Sequence, residues 1–168
     1  MTNIINYITM KNLKNKQKGF TLIEILVVIG LIAILAAIVI IAINPARQFA
    51  QGRNSQRQSN VNSILNAIGQ RIADNKGTFN GTLNGVICPS IPAGPSTISA
   101  SGLDLYTNCL VPTYISSELV DPSNGSTVAP YNSQYTVAQD ALTQRITVCA
   151  PKANEPNTTV QQDICVTR

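Results

Sequence analysis

The sequence predicts an α+β chain in which a long N-terminal helix, apolar first and amphipathic later, packs on a small antiparallel β-sheet domain. Three observations carry that prediction. Residues 25–43 form a run of 19 uncharged residues, 14 of them Ile, Leu or Val. Val61, Ile64, Leu65, Ile68 and Ile72 then recur at the spacing of one helix face. Beyond a turn-rich region, residues 134–138, 145–150 and 163–167 read as three short strands.

The apolar run comes first in the argument. As a helix it would be about 28 Å long, close to the thickness of a bilayer's hydrocarbon core. A helix buried in a soluble core carries a polar stripe, and this run has none, so it reads as a membrane span. Lys11, Lys14, Lys16 and Lys18 precede it and no acid accompanies them. The positive-inside rule places that end in the cytoplasm and the C-terminal domain outside. Removing these four lysines leaves eight basic residues against eight acidic ones, so the formal charge of +4 belongs to the N-terminal segment. It carries no indication of nucleic-acid binding. Glu24 breaks the apolar pattern. A carboxylate within a span costs about 3 kcal/mol, against about −7 kcal/mol from the aliphatics, so insertion wins while the acid still needs a reason.

The segment Lys18-Gly19-Phe20-Thr21-Leu22-Ile23-Glu24, followed by a long aliphatic helix, resembles the class III signal of type IV pilins and pseudopilins. The resemblance implies cleavage after Gly19 by a prepilin peptidase and N-methylation of the new N-terminal Phe20. It also implies that Glu24 pairs with the N-terminal amine of a neighbouring subunit. The implied protein is a structural subunit that self-assembles into a helical filament, or a pseudopilin or minor pilin of a secretion or DNA-uptake system. Its partners would be the peptidase, an inner-membrane assembly platform with its ATPase, and membrane lipid before assembly. It would be a single-pass inner-membrane protein with a cytoplasmic N-terminus, and later part of an extracellular or periplasmic filament. An ordinary secretory signal would show a shorter apolar region and a small-residue cleavage site, whereas this run continues into an amphipathic helix. A monomeric protein tethered by the run is the remaining alternative. The leader begins at Met1 or, in the shorter basic form more usual for the family, at Met10.

Four segments follow from this reading: a leader at 1–19, a membrane or filament-core half-helix at 20–44, an amphipathic half-helix at 45–76 and a globular domain at 77–168. Thr21 and Glu24 also fit the Thr-x-x-Glu capping box of a helix start. Gly30 and Asn44-Pro45 interrupt the span. Pro45 either kinks the helix or marks the membrane exit; in pilins the comparable proline lies about one turn earlier. Residues 46–76 pair the apolar seam with a polar face on which Arg47, Arg53, Arg57 and Arg71 read as solvated residues or contacts between packed subunits. No aromatic platform accompanies them, and a nucleic acid is not expected as a direct ligand. Asn75-Lys76-Gly77 reads as a helix stop, so that residues 20–75 would form one helix of about 84 Å.

The outward domain opens with a loop-rich stretch at 77–102 holding a short strand at 85–88, and continues with a short helix or turn within 103–119. Asp121-Pro122-Ser123-Asn124-Gly125 is a turn signal, Asp140-Ala141-Leu142-Thr143 a hairpin turn, and 151–159 a longer loop. Four cysteines, Cys88, Cys109, Cys149 and Cys165, all lie in this domain, and an even number in an exported domain points to disulfides. Three pairings are open. Nearest neighbours are the expectation, and Cys149–Cys165 resembles the C-terminal disulfide loop of many type IV pilins. With no histidine in the chain there is no Ser-His or Cys-His pair. No Cys-x-x-Cys or phosphate loop occurs, so no enzyme, cofactor or zinc site is expected. Asp104, Glu118, Asp121 and Asp140 are dispersed and read as turn or solvated residues. The metal reading that remains is calcium at Asp121 and Asn124, in a stretch (with Pro122, Gly125 and Tyr131) similar to one in major pseudopilins.

Overall fold

The computed structural model describes residues 19–83, 85–107, 109–123, 125–156 and 162–168. Both candidate start residues, Lys18 and Asn124 lie outside the described residues. The chain divides into two compact units, Met1–Ile43 and Asn44–Arg168.

In the first unit, helix α1 spans Leu22–Ala42. Thr21 adopts an extended conformation and caps the helix, and Ile43 at its other end is again extended. Every residue of α1 is exposed, and it passes through Gly30 without interruption. With a mean hydropathy of 3.5 over its most apolar window, α1 is the one helix among the described residues long and apolar enough to cross a membrane.

Helix α2 spans Pro45–Asp74 in the second unit. The expectation of one helix over residues 20–75 is therefore corrected: two residues, Ile43 and Asn44, stand between α1 and α2 in extended conformations. The cause is local. A residue preceding proline is pushed out of the α region, and Pro45 cannot donate the hydrogen bond that would continue α1. Proline suits the first position of a new helix, and the Asn44 side chain accepts from the Arg47 backbone N–H at 3.2 Å, capping α2. At the far end Lys76 takes a left-handed φ of 56° and the Gly77 N–H reaches back to the Ile72 carbonyl at 2.8 Å. That is a Schellman closure, at the place the Asn-Lys-Gly signal marks.

The remaining strands are β1 (Gly81–Leu83), β2 (Val86–Cys88), β3 (Ser96–Ser99), β4 (Asn132–Gln139), β5 (Ile146–Ala150) and β6 (Ile164–Thr167). β1 and β2 form a hairpin; the other four make an antiparallel sheet in the order β3-β4-β5-β6. β4, β5 and β6 arise from the three expected strand runs. β3 does not announce itself, because its four residues follow directly on the turn-rich Pro92-Ala93-Gly94-Pro95. It forms by pairing with the open edge of β4, with Ser96 opposite Val137, and it buries Ile98 completely. Among the described residues of 103–119 there are turns and isolated bridges rather than a helix.

Alternation along β4 and β5 turns Tyr135, Val137, Ile146, Val148 and Ala150 inward. α2 lies against β5 and β6, and its seam of Val61, Ile64, Leu65 and Ile68 closes the core, with Ile72 packed at its margin. Leu105, Tyr106 and Leu110 join the same core from the turn region. Disulfides join Cys88 to Cys109 and Cys149 to Cys165. The second links residues directly opposite each other on β5 and β6.

Candidate functional site

Two places concentrate polar chemistry: the start of α1, and the face of α2 that meets the loops of the globular unit.

At the start of α1 the first backbone N–H groups have no helical partner, and in an apolar surround each would be costly to leave bare. Thr21 and Glu24 meet this need reciprocally. The Glu24 N–H donates to Thr21 Oγ1 at 3.2 Å, and the Thr21 N–H donates to Glu24 Oε2 at 3.4 Å. The capping reading of Glu24 is thus present in the single chain, with its carboxylate directed back toward residues 20 and 21. Phe20 is 79% exposed just ahead of it. A peptide cut between Gly19 and Phe20 would create an ammonium four positions before Glu24, one residue ahead of the Thr21 N–H that its carboxylate accepts from.

The second place holds the arginines. Arg47 stays exposed, but placing Arg57 and Arg71 on a solvated face is corrected: both are buried. Arg71 donates through Nε to the Phe79 carbonyl at 3.0 Å and through Nη2 to the Gly81 carbonyl at 3.2 Å, fastening the chain that follows α2. Its guanidinium also lies 5.5 Å from the centre of the Phe79 ring.

Arg57 is wholly buried and all five of its N–H donors are used. Nε and Nη2 grip the two oxygens of Asp121 at 2.6 and 3.0 Å. Nη2 also reaches Ser123 Oγ at 2.9 Å, while Nη1 meets Asn54 Oδ1 at 2.8 Å and a Glu155 oxygen. Arg53 Nε donates to both oxygens of Glu155, at 2.8 and 3.0 Å. Burial alone would weaken the charge on Arg57, yet the bonds to Asp121 and Glu155 outweigh it and hold its pKa above the ordinary value. Burial likewise opposes ionisation of Asp121, but Arg57 and Ser123 bring its pKa down to about 2. Glu155 is lowered to about 2, chiefly by its bond to Arg53.

Asp121 is therefore not a solvated turn residue. Its carboxylate faces an internal cation, which bears on the calcium reading: a metal ion there would compete with a guanidinium already holding both oxygens. Among the described residues no group of three or more His, Cys, Asp or Glu is placed to share a metal ion. Asp104 accepts from the Tyr131 hydroxyl at 2.7 Å, and Asp140 caps its hairpin by accepting from Leu142 and Thr143. The ion cluster was hidden from sequence reasoning because its members lie 64 and 98 residues apart. The available signal was that Arg57 lies on the α2 face that carries Val61 and Ile64.

Residues 14–42 match the family model described as the prokaryotic N-terminal methylation motif, the class III signal of type IV pilins. The matched segment contains the expected cleavage site and all of α1, and it leaves the chain beyond residue 42 unassigned. No curated protein and no solved structure matches the chain. The motif supports a pilin-like or pseudopilin precursor, and the family that carries this motif is structural. It implies processing by a prepilin peptidase, and with α1 it suggests a single-pass membrane anchor.

Proposed function

We propose that this chain is a structural subunit of a type IV pilus-like filament, made as a membrane-anchored precursor and assembled through its N-terminal helix. The observation that carries the reading is Glu24, a lone carboxylate at the head of an otherwise uncharged and fully exposed helix, inside the matched segment. So much apolar surface must be covered by lipid or by other copies. Transfer from lipid to a protein core is favourable only where the carboxylate meets a cation, and cleavage after Gly19 supplies one as the methylated Phe20 amine of a neighbour. A subunit seated out of register would bury an unpaired charge, at a cost of several kcal/mol. Repetition of one head-to-tail contact that does not close produces a filament. The leader lysines hold the precursor's N-terminus in the cytoplasm, where the peptidase and an assembly platform with its ATPase would engage it.

Intact-mass measurement of the cell-associated protein tests this. The expected chain begins at methylated Phe20 and carries two disulfides. Recovery of a form that retains its lysine-rich leader and never polymerises would overturn the proposal. The same motif supports a pseudopilin in a short secretion or uptake piston, and long surface fibres from the overexpressed subunit separate the filament reading from that one.

A further inference from the structure

The acceptors around Arg57 come from three separate stretches of chain. Asn54 belongs to α2 itself. Asp121 and Ser123 belong to the loop that leads toward β4, and Glu155 belongs to the loop after β5, within the span closed by the Cys149–Cys165 disulfide. Each loop has supporting bonds of its own to α2. Asn60 Nδ2 donates to the Val120 carbonyl at 3.2 Å, and Asn54 Nδ2 donates to the Ala153 carbonyl at 3.1 Å. Charged contacts from both loops nevertheless meet at Arg57, and Arg53 holds Glu155 as well. Two carboxylates from two loops face Arg57 with Arg53 behind, so the cluster is neutral only while both loops are seated. Withdrawing Glu155 would strip Arg57 of one acceptor, and withdrawing Asp121 would leave a buried cation without its main counter-charge. Either event is costly for Arg57, whose side chain is wholly shielded from water, although Glu155 and Arg53 are partly exposed. An arginine fits here and a lysine does not, because five in-plane N–H groups are matched to five oxygen acceptors.

We propose that the Arg57 guanidinium joins residues 120–123 and 151–156 into one opening unit, so that the two loops are seated or released together. We also propose that the cage left when Arg57 is shortened binds a free guanidinium ion. The ligand class follows from the acceptors: a planar monocation with N–H groups in one plane, set between two carboxylates, a hydroxyl and a side-chain amide oxygen. Anything that displaces one loop, such as a partner seated on the surface of 151–156, is then felt at the other. This inference does not depend on the filament reading, since it concerns the globular unit alone.

Hydrogen exchange by mass spectrometry on the full chain in detergent micelles tests it. In Glu155→Gln, amides of 120–123 as well as 151–156 should exchange at least about tenfold faster than in the unsubstituted chain, by similar factors. Acceleration confined to 151–156 would overturn the coupling. In Arg57→Ala, millimolar guanidinium chloride should restore protection in both segments, while the same concentration of urea should not. Failure of guanidinium to restore either segment would overturn the cage. Should Arg57→Ala not fold, Glu155→Gln still decides the coupling, and guanidinium-dependent recovery of folded Arg57→Ala decides the cage.

Discussion

Arg57 and Asp121 form a bidentate pair, Nε to Oδ2 at 2.6 Å and Nη2 to Oδ1 at 3.0 Å, with both side chains completely shielded from solvent. A buried pair of this kind need not stabilise relative to apolar residues of equal size, but removing one partner leaves the other charged and desolvated. Arg57→Ala and Asp121→Asn should each lower unfolding free energy by about 3–5 kcal/mol. In the double variant Arg57→Met with Asp121→Leu, most of that loss should be regained. Denaturant unfolding in micelles measures all three, and a double variant as weak as the sum of the singles would contradict a coupled pair.

Acid should loosen the same cluster. Asp121 and Glu155 have folded pKa values of about 2, below their ordinary values of 3.8 and 4.5. A depressed pKa contributes stability that is complete above the unfolded value and is lost as pH falls through the folded one. Stability should therefore be level down to about pH 5 and decline from there toward pH 2, by an amount of order 2 kcal/mol for Asp121. Glu155→Gln should flatten part of that slope in a pH series of thermal melts.

Glu24 separates insertion from assembly. Glu24→Val removes an insertion cost of about 3 kcal/mol, so the variant should remain in the membrane fraction. Filaments seen by electron microscopy should be absent or disordered. Ordinary filaments from this variant would refute the register role. Gly19→Val should leave the leader attached, visible as added mass. Unchanged mass and intact function in that variant would favour a plain tether.

The disulfides close loops with sequence separations of 21 and 16 residues. On the chain-entropy account, replacing either pair with serines should cost about 3 kcal/mol. Cys149 and Cys165 tie two strands that already pair, whereas Cys88 and Cys109 lie outside the four-stranded sheet. Losing Cys88–Cys109 should therefore free the β1–β2 hairpin, residues 81–88, and the turn around Cys109 to proteolysis before the sheet melts, which limited digestion would show.

What the sequence by itself determined are the properties that add up along contiguous residues. Residues 25–43 declare a span because transfer free energy sums over a run, whatever surrounds it. Thr21 with Glu24, Asn44 with Pro45, and Lys76 with Gly77 declare where α1 and α2 start or stop, because caps and proline sterics act within one turn. Even so, reading 20–75 as one helix underrated how completely Asn44-Pro45 resets the backbone. β3 and the fate of the arginines were decided only in three dimensions. Ser-Thr-Ile-Ser becomes a strand because β4 offers an edge, and Arg57 is buried because Asp121 and Glu155 arrive from 64 and 98 residues away. Periodicity places a side chain on a face, but whether that face meets water or a carboxylate depends on the desolvation and pairing of groups that only the folded chain brings together.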